Sequence, residues 1–95
     1  MKISYTQHLL SRLKLRKIPK SLTRNVYLKK ETELYDNLEH HYIRLRRDTL
    51  FGKMRLLVVV FDKLENKVEL ITFYPTDKTE IDNKIKTGRW SYEKS

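Results

Sequence analysis

The apolar residues of this 95-residue chain change their spacing twice. Leu9, Leu10 and Leu13 fall at i, i+1 and i+4 with Tyr5 one turn earlier, a stripe along one side of a helix. Ser4-Tyr5-Thr6-Gln7 has the Ser-x-x-Gln form whose polar side chains satisfy amides that a helix start leaves unpaired. A first helix is therefore predicted from about Tyr5, ending by Ile18. Pro19 suits the first turn of a second helix, and Leu22 and Val26 give it one apolar edge up to about Lys30.

The repeat then shortens to two residues. His41, Ile43 and Leu45 alternate with Tyr42, Arg44 and Arg46, as in a strand with one apolar and one polar face. Met54 to Phe61, rich in Val and Leu, reads as a strand buried on both faces. Asp62 to Lys67 supplies turn residues, Val68 to Tyr74 the returning strand, and Pro75 its end; Glu33 to Asp36 offers a short edge strand. Thr79-Glu80-Ile81-Asp82 opens a last helix, with Ile81 and Ile85 on one face and Gly88 as its stop. The expected fold is α+β: N-terminal helices packed on a three- to four-stranded antiparallel sheet, with a short C-terminal helix.

Hydrophobic residues at 39% and charged residues at 35%, with only two glycines and two prolines, favour one folded domain over residues 1–95 rather than a flexible or fibrous chain. The absence of cysteine excludes a disulfide-stapled fold, a thiolate metal site and a cysteine nucleophile. The longest apolar run, Leu56 to Phe61, is six residues against the roughly 20 that a membrane-spanning helix needs, so no membrane partner is expected. No apolar segment of a secretory signal follows Met1, and a cytoplasmic location is the expectation.

Charge is distributed unevenly. Lys2, Arg12, Lys14, Arg16, Lys17, Lys20, Arg24, Lys29 and Lys30 place nine cations and no acid in residues 1–30, which accounts for the whole formal net charge of +9. Such a surface attracts polyanions and releases their counterions, making RNA or DNA the first partner to consider; an acidic protein is the other. Within the first helix His8, Arg12 and Arg16 recur every four residues and form one row. A histidine moves protons and arginines stabilise charge building on phosphate, the groups that metal-free RNA cleavage by a 2'-hydroxyl needs. The same spacing also suits ordinary solvated helix residues.

On the strands, His40, Tyr42, Arg44 and Arg46 share one face by alternation, as do Thr72 and Tyr74 on the hairpin partner. Basic and aromatic side chains on an open sheet face grip phosphates and stack unpaired bases, although a plain solvent-facing surface has the same composition. His40 and His41 point to opposite faces, and the acids are scattered singly, so neither a zinc site nor a two-magnesium centre is expected. Two glycines cannot build a glycine-rich phosphate loop, and no cofactor is expected. Trp90 reads as a core lid, with Arg89 beside it as an added phosphate ligand.

Tyr5-Thr6-Gln7-His8 with Arg12 and Arg16, then Ile18-Pro19, Leu57-Val58-Val59-Val60 and Leu70-Ile71-Thr72-Phe73-Tyr74-Pro75, resemble a family of small prokaryotic and viral domains grouped with the RelE-like toxins of the barnase, EndoU, colicin and RelE ribonuclease fold. The resemblance spans residues 4–90 through short motifs. It implies a RelE-like layout and a metal-independent endoribonuclease paired with an acidic antitoxin, with His8, Arg12, Arg16, Thr72 and Tyr74 at the matching positions. Ser91-Tyr92-Glu93-Lys94-Ser95 lacks the basic and aromatic cluster of many such toxins, which sets ribosome-dependent cleavage apart. The expected function is RNA cleavage by His8, Arg12, Arg16 and Tyr74, with Lys14, Lys17, Tyr42, Arg44, Arg46, Thr72 and Arg89 holding the nucleic acid. The alternative is a viral or plasmid module that binds nucleic acid without cutting it.

Overall fold

The computed structural model describes residues 2–92; Glu93, Lys94 and Ser95 of the mixed C-terminal segment lie outside them. Its elements are β1 (Lys2–Tyr5), α1 (Gln7–Leu15), α2 (Lys20–Leu28), β2 (Thr32–Asp36), β3 (His41–Leu50), β4 (Lys53–Lys63), β5 (Lys67–Thr76), α3 (Lys78–Lys86) and β6 (Trp90–Tyr92). They form one six-stranded sheet in the order β1-β5-β4-β3-β2-β6. This overturns the expected three- to four-stranded antiparallel sheet with helices at the N-terminus. The chain opens with a strand, β1 pairs parallel to β5, and the sheet is mixed. The segment expected at an edge, β2, lies inside the sheet between β3 and β6.

The first turn of the chain shows why. Ser4 is not a helix cap but a residue of β1, and its hydroxyl donates to the Val68 carbonyl at 3.3 Å. Thr6 caps α1 instead: its hydroxyl accepts the Leu9 N–H at 3.1 Å while its own N–H donates to the Leu70 carbonyl at 3.0 Å. One residue thus ends the parallel pairing and starts the helix. Pro75 does not end β5 but sits opposite Leu57. Because β1 covers β5 only from Lys67 to Leu70, Pro75 lies on an open edge, where a missing N–H breaks no ladder.

The two faces of the sheet are covered by different helices. Leu9 and Leu13 of α1 and Val26 and Tyr27 of α2 pack on Leu57, Val59, Phe61, Leu70 and Phe73. On the other face Ile81 of α3 and Trp90 of β6 pack on Leu34, Ile43, Leu45 and Val58. Strand β4 is therefore buried from both sides, as its composition predicts, with Leu57, Val58 and Val59 all at 0% exposure. Replacing Val59 by Asp places an unpaired carboxylate between sheet and helices at a cost of several kcal/mol, comparable to a whole domain's stability of about 5–15 kcal/mol. Val59→Asp is expected to be unfolded by circular dichroism, whereas Val59→Ala should keep the fold with a lower urea midpoint.

Candidate functional site

Helix α3 covers only part of its face, and beside it the sheet lines a cleft of about 280 Å³ with polar groups. Three local features aim those groups. The two-residue turn at Phe51-Gly52 fixes the β3–β4 register with Tyr42 opposite Phe61, which brings the preceding His41 level with Asp62. A β-bulge at Ile71, where pairing passes from Val60–Thr72 to Phe61–Leu70, lets Thr72 and Tyr74 face the cleft while Leu70 faces the helices. Gly88, with φ +79°, stops α3 and turns the chain so that Arg89 enters the cleft and Trp90 closes the core behind it.

His41 Nδ1 lies 2.7 Å from Asp62 Oδ1. A carboxylate can only accept, so Nδ1 carries the proton, and in the neutral ring Nε2 is left as the free base. Nε2 has no hydrogen-bond partner among the described residues. This is the arrangement by which a carboxylate fixes the tautomer of a proton-transferring histidine.

Asp36 forms the floor of the cleft and is 6% exposed. Its carboxylate accepts from the Leu38 and Glu39 amides, both at 2.9 Å, from Arg89 Nε at 3.0 Å and from Trp90 Nε1 at 3.3 Å. Burial opposes its charge, but the Arg89 bond, the two amides and the attraction of Arg89 outweigh it and hold the carboxyl down at about 2. Tyr74 responds in the opposite direction: burial first, then the negative charges of Glu80 and Asp36, push its phenol up to about 12, against the opposing pull of Arg89. Tyr74 is therefore a neutral hydroxyl at physiological pH. Lys84 reaches the cleft with its Nζ 4.6 Å from the centre of the Trp90 ring.

Of the residues expected at a site, Thr72, Tyr74 and Arg89 meet here. His8, Arg12 and Lys14 are exposed on α1, and Arg16 and Lys17 on the turn after it, all on the side of the sheet that α1 and α2 cover. Tyr42, Arg44 and Arg46 also face that side, half-buried rather than on an open surface, Tyr42 against Phe61 and the two arginines against the end of α2. Arg44 bonds Glu33 at 2.5 Å and the Tyr27 carbonyl at 2.8 Å, with its guanidinium 4.1 Å from the Tyr27 ring centre, and Arg46 bonds the Lys29 carbonyl at 2.9 Å. Both close the C-terminal end of α2, whose last carbonyls lack helical partners. Tyr42 stacks on Phe61 at 5.7 Å. His40 sits in the β2–β3 turn with φ +60° and not on a strand. The residues that sequence reasoning missed are His41, Asp62, Asp36 and Lys84; for the first two, the turn at Phe51-Gly52 was the available signal.

Compared with known proteins, the chain matches no family model, no curated protein and no solved structure.

The lowered Asp36 carboxyl makes stability depend on pH. A depressed value contributes stability that is complete above the ordinary 3.8 and is lost as pH falls toward about 2. Asp36→Asn retains an acceptor but removes the charge, and should lower stability at pH 7 by about 2 kcal/mol in urea denaturation. Between about pH 5 and pH 2 the variant should lose less stability than the wild type.

Proposed function

We propose that this protein binds RNA and cleaves it through attack of a 2'-hydroxyl on the adjacent phosphate. The observation that carries this reading is the His41–Asp62 pair at 2.7 Å, whose free Nε2 shares a cleft with Tyr74, Lys84 and Arg89. His41 Nε2 takes the 2'-hydroxyl proton and the 2'-oxygen bonds to phosphorus. The bond to the 5'-oxygen breaks, that oxygen receives a proton from Tyr74, and the products are a 2',3'-cyclic phosphate and a 5'-hydroxyl. Lys84 and Arg89 stabilise the charge gathering on the non-bridging oxygens. Glu39, 3.6 Å from Arg89 Nη2 and largely exposed, is the partner that a phosphate would displace.

This assignment moves the proton carrier from His8 on the helix to His41 on the sheet. In an assay with labelled RNA and excess chelator, His41→Ala should reduce cleavage by about 100-fold or more with affinity nearly intact. Tyr74→Phe should also be impaired, and His8→Ala should match the wild type. RNA with a 2'-deoxy sugar at the cut position should resist. If the wild type never cuts, or cuts the 2'-deoxy substrate equally well, the cleavage reading fails.

A second reading, nucleic-acid binding without cleavage, has its own support: the acid-free cations of α1 and α2 lie on the opposite side of the sheet from the cleft. Replacing Arg12, Lys14, Arg16 and Lys17 together by Gln should weaken RNA binding and flatten its salt dependence. Equal affinity and an equal salt slope would leave that surface to an acidic protein partner.

A further inference from the structure

Strands β3 and β4 pair out to Leu50 and Lys53, but β2 accompanies β3 only as far as Leu45, and β5 accompanies β4 only from Leu56. Residues 48–55 therefore project as a two-stranded arm about 10 Å long. Its tip is unusual. Phe51 has φ +52° and Gly52 φ +78°, the pair of left-handed conformations of a tight hairpin turn, in which the first position favours Asn, Asp or Gly. A bulky side chain is disfavoured there, and folding recovers little for it, since Phe51 is 66% exposed. The strain therefore holds an aromatic ring out in solvent.

The space beside that ring is a second cleft, of about 490 Å³, between the arm and the α1–α2 corner. Lys17 lines it from that corner and is likewise left-handed, with φ +56°. Lys53 and Arg55 stand opposite Leu50 and Asp48 in the β3–β4 register, so both share the face of the arm that turns toward α2. Lys17, Lys53 and Arg55 are exposed, and none is ion-paired among the described residues. The acid lining the cleft, Asp48, is already engaged by Asn25 Nδ2 at 3.0 Å, the Thr49 amide at 2.7 Å and Arg46 at 3.6 Å. The free charge in and beside the cleft is thus positive, since Lys17 lines it and Lys53 and Arg55 flank it, next to a solvent-facing aromatic ring.

We propose that this cleft binds single-stranded RNA, with Phe51 stacking on an unpaired base and Lys17, Lys53 and Arg55 on the flanking phosphates. The inference rests on RNA being the partner and names the form that is bound. Only an unpaired strand offers base faces to a ring at a hairpin tip, and stacking with backbone charge is the usual combination for such strands.

The test uses a fluorescent, non-self-complementary 12-nucleotide RNA carrying 2'-O-methyl groups, which cannot be cut, so binding is read apart from cleavage. By fluorescence anisotropy, Phe51→Asn and Phe51→Ala should each weaken binding about tenfold, and Phe51→Trp should stay within about twofold of the wild type. Phe51→Asn suits the turn better and should also raise Tm by about 4 °C or more. Higher stability with lower affinity in one variant is what a merely structural Phe51 would not produce. Lys53→Gln with Arg55→Gln should flatten the salt dependence. Unchanged affinity in Phe51→Asn, equal competition by a 12-base-pair RNA duplex, or binding of Phe51 to phosphatidylserine vesicles with no effect on RNA would each overturn the inference. A wild type that holds this oligonucleotide through Phe51 yet never cuts RNA would remove only the cleavage reading. A wild type that cuts RNA with an unaltered KM in Phe51→Asn would remove only this one.

Discussion

The two-sided burial of β4 determines the rest of the architecture. Val59 faces α1 and α2, Val58 faces α3 and Trp90, and neither is exposed. With about 1.5–3 kcal/mol at stake for each buried apolar side chain, neither face of this strand can be left to water. One face is covered by two helices, the other by a nine-residue helix about 13 Å long and the side chain of one tryptophan. That second cover is too short for the sheet beneath it. The uncovered remainder must be polar, and it is there that Asp36, His41 and Thr72 line a cleft.

A polar floor at the edge of a core has to be fully bonded, and Asp36 meets that demand for three elements together. Its carboxylate organises the β2–β3 turn through Leu38 and Glu39, satisfies the indole N–H of the buried Trp90, and holds Arg89 at the end of α3. Truncating it would orphan the indole and two amides at once, which is why its loss would cost more than one hydrogen bond. The same charge reaches the cleft, where it adds to burial and to the charge of Glu80 in raising the Tyr74 phenol. Structural anchoring and the electrostatics of the site thus share one carboxylate.

How much of this the sequence discloses depends on how local the cause is. Strands β3, β4 and β5 and helix α3 follow from two-residue alternation, a long apolar run and a helix-start pattern, all local signals, although Asp77 rather than Thr79 supplies the cap of α3 by accepting from the Glu80 N–H. Strands β1 and β6 have four and three residues, too short for periodicity, and exist because distant strands receive them; Lys2, for instance, lies opposite Lys67. The parallel pairing of β1 with β5 converts an antiparallel sheet into a mixed one. Alternation likewise shows that Tyr42, Arg44 and Arg46 share a face but not that α2 lies over it. The His41–Asp62 pair lies between these cases, since counting back from a two-residue turn brings the two side chains together, but only once Phe51-Gly52 is accepted as that turn despite the phenylalanine.

The location of unpaired charge bears on what kind of nucleic acid could engage both sides of the molecule. In the second part of the chain, whose charges sum to zero, Arg44, Arg46, Lys84 and Arg89 are ion-paired with Glu33, Asp48, Glu80 and Asp36, and Lys53 and Arg55, unpaired among the described residues, stand on the side that α1 and α2 cover. The cations of α1 and α2 have no acid in their own segment, so the long-range field belongs to the helical face. A strand drawn to that face must pass around the molecule to reach His41, across a thickness of 21 Å. Duplex nucleic acid, which stays straight over roughly 150 base pairs in the case of DNA, cannot fold around so thin a body without a large bending cost. A single strand can, and for the RNA reading this geometry alone selects a flexible, unpaired substrate.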